Sequence, residues 1–352
     1  RPSNHAIGEL SFPKEHIEEV ISIGSEMLSS PQFDQKWVDR IKQGLLANQT
    51  QAQTQAGHQM WAVARLAILD DGPLNTFLSL PNLGAIEEVS EDGLRRWHDE
   101  TIVQTGGTIV VTGVISSPEA GKAIDRLLAD LPLGRPLPNS VVQPDFAPRT
   151  ILLHQPDAKK STLGFIGQLP PTSEGGDLTD LLALQFFART GDGPLFDAVR
   201  TELRASYAFQ AGFTNYDRAT RVMFIGGEVE TEKLAQAANL VRERYEMYRS
   251  NPDLTGLDGL RQGIADATAQ NVLFVDVAAR TMLELALDGR DPGDAPRLGE
   301  LLETIQAKDV QERLASVFPK GDSLIIVATS PDANAIPGAC IITEIKQVRQ
   351  CP

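Results

Sequence analysis

The sequence predicts an α+β protein of two homologous lobes, each a mixed sheet with helices packed on one face, the first lobe incomplete on its N-terminal side. Three observations carry this reading. The first is an internal repeat. The run Ile86-Glu87-Glu88-Val89-Ser90-Glu91-Asp92-Gly93-Leu94 lies over Leu302-Glu303-Thr304-Ile305-Gln306-Ala307-Lys308-Asp309-Val310 without a gap, and at the same offset of 216 the run Ile109-Val110-Val111 falls on Ile325-Ile326-Val327. Lys42-Gln43-Gly44-Leu45 matches Arg261-Gln262-Gly263-Ile264 at 219, and Ser30-Pro31 matches Asn251-Pro252 at 221, so small indels separate the blocks. Residues 11–130 thus repeat as 230–350, while 150–227 have no counterpart ahead of residue 11. The second observation is Pro132, Pro136, Pro138, Pro144 and Pro148, with Gly134, too dense for helix or central strand; it reads as an extended linker. The third is a mixture of strands and helices without regular βαβ alternation. The expected division is residues 1–130 for what remains of the N-terminal lobe, 131–148 for the linker and 149–352 for the C-terminal lobe.

The elements follow in order. Ile17, Val20, Ile21, Ile23 and Leu28 form a helical stripe over 13–29, broken at Pro31-Gln32-Phe33-Asp34. Asp34 is the expected N-cap of a second helix to about Gln51, with Trp37, Val38, Ile41, Leu45 and Leu46 turned inward. A third helix follows near 57–69, and then a Gly/Pro-rich stretch, 72–84. Ser90 caps a helix carrying Leu94 and Trp97, residues 107–112 read as a buried strand, and Ser117-Pro118-Glu119 opens a further helix. Beyond the linker, strands are expected at Thr150–His154 and Thr162–Leu169, helices at 177–189 and from Pro194 to about Arg204, and strands at 207–213 and 220–226. Thr214-Asn215-Tyr216-Asp217 is the turn between those last two.

Composition bounds the function. The 352 residues are too many for one core and suggest two domains. No apolar run approaches the roughly 18–20 residues of a membrane span. The net charge of −15 argues against nucleic acid or an anionic membrane as partner, since both demand a basic footprint. Peptides or a neutral or basic protein surface are compatible. Cys340 and Cys351 could close a small-loop disulfide, which points to an oxidising compartment such as a periplasm, or stay as two thiols; the compartment is open between the two.

The residues carry no recognisable metal site. A zinc peptidase needs two imidazoles four apart on one helix face with a carboxylate between them, and among His5, His16, His58, His98 and His154 no two are so spaced. Neither HExxH nor HxxEH occurs, nor GxSxG. Gly191-Asp192-Gly193 precedes a helix without a following Lys-Ser/Thr, and reads as a glycine turn. One constellation remains. In Arg200-Thr201-Glu202-Leu203-Arg204-Ala205-Ser206-Tyr207 an arginine near a helix end precedes by seven a tyrosine that opens a strand. A guanidinium fork and a phenol delivered to one side of a sheet can hold a peptide backbone or stabilise an oxyanion. A surface salt bridge plus an ordinary sheet residue fits the same spacing.

In order along the chain stand a strand at Thr150–His154, the run Ser161-Thr162-Leu163-Gly164-Phe165-Ile166-Gly167, Gly191-Asp192-Gly193, Leu195-Phe196, Arg200 and Tyr207. This series resembles the C-terminal lobe of the pitrilysin/insulinase-type inverted zincins, the family of mitochondrial processing peptidase. The likeness covers nearly the whole chain and rests on the order of its motifs together with the duplication. It implies two lobes closing around a peptide-degrading chamber. It also implies a zinc motif HxxEH in the part of lobe one that this sequence lacks, and a later glutamate ligand that falls at Ala47 or Asn48. Neither is a carboxylate, and Asn is a poor zinc donor.

The resemblance assigns Arg200 and Tyr207 as the catalytic and substrate-binding pair, with Gly193 and Phe196 beside the substrate. Two departures stand out: Arg204 occupies a position that the family fills with glycine, and Gly193-Pro194 replaces a Ser-Arg. The expectation is a non-zinc, substrate-binding subunit with no cofactor of its own. Its partner in a heterodimer would be a homologous subunit that bears the motif and Zn2+. The alternatives are a catalytically inactive structural homologue, like the core subunits of respiratory complexes, or part of a one-chain zinc peptidase.

Overall fold

The computed structural model describes residues 5–69, 83–135, 143–204 and 209–352. Most of the Gly/Pro-rich stretch, the middle of the proline-rich linker and Tyr207 therefore lie outside the described residues. The class is mixed α+β, as the sequence predicts. Helices α1 (Ile17–Ser29), α2 (Gln35–Gln53), α3 (Ala56–Ile68), α4 (Leu83–Glu88), α5 (Glu91–Thr101) and α6 (Ser117–Leu128) come first. Their starts are chemically marked. Asp34 accepts a hydrogen bond from Lys36 N at 2.9 Å, and Ser90 Oγ accepts one from Gly93 N at 3.1 Å. Glu119 accepts from both Ser116 N (2.9 Å) and Ser116 Oγ (2.7 Å), closing the first turn of α6 around Pro118.

The second half builds a six-stranded sheet in the order β3-β4-β2-β5-β1-β6. Its strands are β1 (Thr150–His154), β2 (Ser161–Leu169), β3 (Phe209–Asn215), β4 (Arg221–Val229), β5 (Ile325–Ser330) and β6 (Cys340–Ile342). β1 runs parallel to β5 and β6, and the other pairings are antiparallel. The hairpin between β3 and β4 turns two residues later than the sequence suggests. Asp217 Oδ1 captures Ala219 N (2.9 Å) and Thr220 N (2.6 Å), an Asx turn that fixes the corner. The remaining helices are α7 (Asp177–Phe187), α8 (Pro194–Phe196, running on as a π-helical stretch Asp197–Glu202), α9 (Leu234–Ser250), α10 (Leu257–Asn271), α11 (Val275–Leu287), α12 (Leu298–Thr304) and α13 (Ala307–Ser316).

The sheet is covered on both faces. On one, Leu152, Phe165, Met223, Ile225 and Ala328 meet α7, α8, α9 and α13 in the main core. On the other, Ile151, Leu153, Ile166, Ile325 and Val327 meet Met60, Val63, Ala64, Ala67 and Ile68 of α3. Helix α3 thus comes from ahead of the linker to seal the sheet that follows it. Gly164 permits this approach, because a Cβ there would lie 3.0 Å from Met60 Sδ. Doubly covered strands have no polar face, and so β2 reads as a continuous run rather than an alternation.

Cys340 and Cys351 are bonded, with Cα atoms 5.7 Å apart, so the disulfide ties edge strand β6 to the C-terminal turn that packs beside α3. Closing so short a loop contributes between about 2 and 3 kcal/mol by unfolded-state constraint. A Cys340→Ala, Cys351→Ala double variant should lose that much in urea unfolding; an unchanged midpoint would show the bond to be idle.

Two local expectations fail together. Residues 107–112 form no strand, and Ile109 and Val111 are exposed. Of the α2 residues expected inward, Val38 is buried and Leu46 half-buried, while Trp37, Ile41 and Leu45 lie open. The patterns are apolar as read, but no sheet among the described residues lies against them.

Candidate substrate-binding site

The segment that leads to the predicted Arg–Tyr pair is pinned at its start by Gly193. Gly193 N donates to Arg189 O at 2.9 Å, and a Cβ at this position would fall 2.5 Å from that same oxygen and 2.6 Å from Arg189 N. Both obstacles are backbone, so no side-chain rotation relieves them. Gly193→Ala should cost about 1–3 kcal/mol as an overpacked site and shift the start of α8. Loss of stability below 0.5 kcal/mol in thermal unfolding would refute that.

From Gly193 the chain turns into α8, with Pro194 at the first helical position, where its missing N–H costs nothing. Leu195, Ala198, Val199 and Leu203 are buried in the main core. Phe196 and Arg200, four residues apart, lie outside that set and are half-buried. Between them the helix widens: Leu203 N donates to Ala198 O at 3.0 Å, a bond spanning five residues. Such π-helical stretches are rare and concentrate at functional sites. The structure therefore places Gly193, Phe196 and Arg200 on one segment, with Phe196 and Arg200 turned from the core. It says nothing of Tyr207, two residues before edge strand β3.

Arg204 takes a left-handed conformation, φ +51°, and its carbonyl accepts a hydrogen bond from Lys233 Nζ at 3.0 Å. The position where the resemblance expects glycine thus keeps a glycine-like backbone on an arginine, at a cost on the order of 1–2 kcal/mol. Nearby, Glu202 pairs with Arg244 at 2.6 Å and Arg189 with Asp192 at 2.6 Å, while the Arg189 guanidinium lies 4.6 Å from the centre of the Phe186 ring.

The main-core side of the sheet also holds a buried charge cluster that the sequence reading missed. Asp180 of α7 is wholly buried. It accepts from Arg221 of β4 at 2.6 Å and from Arg313 of α13 at 2.8 and 3.0 Å. Burial lowers the pKa of Arg221 and Asp180 opposes that shift; the hydrogen bonds to Asp180 raise the pKa of Arg313. The Arg221 guanidinium also lies 3.8 Å from the centre of the Phe213 ring in β3. The three charges join α7, β4 and α13, and β3 packs against α7 beside them.

Ala47 and Asn48, where the resemblance places a zinc ligand, are both exposed on α2. Among the described residues no group of three or more His, Cys, Asp or Glu side chains is placed to hold a metal ion, and no helix is long and apolar enough to cross a membrane.

The model of the family "Peptidase M16 inactive domain" matches residues 88–263, half of the chain. This chain belongs to the peptidase M16 family. The match includes Gly193, Phe196, Arg200 and Tyr207. No curated protein matches this M16 chain in sequence. Among solved structures it is similar to a peptidase M16 inactive domain from Pseudomonas fluorescens (TM-score 0.78, 18% identity, 90% of this chain and 75% of that one). It is also similar to the first half of the periplasmic protease PqqL from Escherichia coli (TM-score 0.66, 15% identity, 96% and 75%). A chain of complex III2 from Candida albicans gives a TM-score of 0.67 at 13% identity, over 96% of this M16 chain and 79% of that one. At these identities the structural likenesses establish the fold alone.

Proposed function

We propose that this M16 chain is the substrate-binding, non-zinc subunit of a heteromeric zinc peptidase. The observation that carries the reading is the placement of Phe196 and Arg200 off the core, on a widened helix that precedes β3, the edge strand of the sheet among the described residues. Its role would be to hold peptide. Arg200 supplies a planar donor fork for a carbonyl oxygen, Tyr207 a phenolic donor, and Phe196 with the Gly193 turn borders the bound chain. The residues of this chain do not fit a zinc site, because α2 offers Ala47 and Asn48 where a carboxylate would be needed. Zinc in such an assembly would belong to a homologous partner subunit, and no step in this chain runs through it. The division into lobes at 131–148 is part of the same proposal. The disulfide supports an oxidising compartment.

Assaying peptide hydrolysis by this chain alone, by a zinc-motif-bearing homologue alone and by the mixture tests the proposal. Activity confined to the mixture is expected; hydrolysis by this chain alone overturns it. The likeness to a complex III2 chain favours a second reading, a catalytically inactive structural homologue, in which the chain adds nothing to any such mixture.

A further inference from the structure

The helix that carries Phe196 and Arg200 ends in a backbone conformation that its sequence does not favour. Leu203 still has helical angles, φ −84° and ψ −24°, and the next residue, Arg204, turns left-handed at φ +51°. A left-handed residue just past the last turn is a common way to stop a helix, and glycine adopts it without steric cost. Arginine carries a Cβ and does not. The Arg204 side chain is exposed, so burial in the core does not impose the conformation either.

Lys233 is placed to hold it. Its Nζ donates to Arg204 O at 3.0 Å and pairs with Glu230 at 2.8 Å, so the ammonium sits between a carboxylate and the carbonyl of the left-handed residue. A charge-assisted bond of this kind is stronger than a neutral one. The lysine also stands on a rigid base. It immediately precedes α9, whose Leu234, Ala237, Ala238 and Val241 lie in the main core together with Leu203. Helix α9 reaches the segment a second time, through Arg244 and Glu202 at 2.6 Å, but that pair is largely open to solvent and contributes little. Leu203 N, one residue ahead of the stop, makes the widened bond to Ala198 O, and Arg200 lies within the span of that bond. A stop that slipped would loosen this bond and turn the guanidinium.

We propose, resting on the reading of Arg200 as a substrate donor, that Lys233 is a positioning residue. It fixes the left-handed stop at Arg204 and, through the last turn, the direction in which Arg200 presents its guanidinium. The lysine thus does what a glycine at position 204 would do unaided, and the two devices are interchangeable.

That interchange is the test. In the two-subunit mixture Lys233→Met should lower kcat about tenfold, with KM and the melting temperature nearly unchanged, because a misaimed donor weakens turnover without disturbing the core. Lys233→Arg keeps a charged donor and should keep most of the turnover. Arg204→Gly should be silent alone and should restore kcat in the Lys233→Met background; a lysine that only braced the fold would show no such rescue. Hydrogen exchange on this chain by itself gives a second readout, independent of any partner subunit. The Leu203 amide should exchange about tenfold faster in Lys233→Met and return to its original rate in the double variant. Unchanged kcat or unchanged Leu203 exchange in Lys233→Met overturns the proposal, as does a loss that Arg204→Gly fails to restore. Arg200→Ala, run alongside, tells the two failures apart. If it still lowers turnover, only the role of Lys233 falls; if it is silent, the substrate-binding reading falls and takes the proposal with it.

Discussion

Asp180→Ala is expected to destabilise the fold by about 3–5 kcal/mol, the range for removing one partner of a buried ion pair. The magnitude follows from what stays behind. Arg221 is 1% exposed, and among the described residues its Nε and Nη2 have no hydrogen-bond partner and its Nη1, without Asp180, keeps only Pro170 O at 3.4 Å. Arg313 would also lose its two bonds to Asp180, so two guanidinium groups would face each other across a cavity. Asp180→Asn should cost less, since the amide oxygen still accepts one bond. Urea unfolding monitored by circular dichroism gives the comparison, and a loss under 1 kcal/mol with an unchanged slope would contradict the account. Because β3 packs against α7 and Phe213 lies under the Arg221 guanidinium, the alanine variant should also broaden the signals of β3.

Arg200→Ala should reduce peptide turnover by the two-subunit mixture by about a hundredfold to a thousandfold, the effect of removing one oxyanion donor. The change acts outside the core, since Leu195, Ala198, Val199 and Leu203 keep their packing. Association of the subunits and the melting temperature should therefore hold. Tyr207→Phe removes a single hydroxyl and should act in the same direction. Arg200→Lys separates geometry from charge, because an ammonium cannot reproduce the flat two-donor fork. If the arginine orients substrate in that way, lysine should rescue little. Turnover unchanged in both Arg200→Ala and Tyr207→Phe would remove these residues from the substrate site.

The parts of the fold that were legible in the sequence are those with short-range signatures. Asp34 and Ser90 mark helix starts, and Leu163, Phe165 and Ile166 mark β2, although the alternation read there gives way to burial on both faces. The repeat placed Ile109–Val111 on β5, but an apolar pattern does not contain its own partners, and residues 107–112 form no strand. The disulfide stayed open in the sequence because a separation of 11 does not fix a Cα distance. The Asp180 cluster joins residues 41 and 133 positions apart, beyond any local pattern, and charged residues read as surface by default. At the candidate site, the order of Gly193, Phe196 and Arg200 was readable. The widening of the helix was not, because one shifted backbone bond leaves no mark in side-chain spacing.

The position of α3 has a consequence for how the molecule can come apart. Its side chains belong by sequence to the helices ahead of residue 130 and by burial to the sheet after residue 149. A helix lent in this way acts as a rivet. Cutting the chain in its proline-rich stretch would leave two pieces still clasped, and heating would find a single melting unit rather than two. Any opening movement between the halves must pivot around α3 or tear it from the sheet.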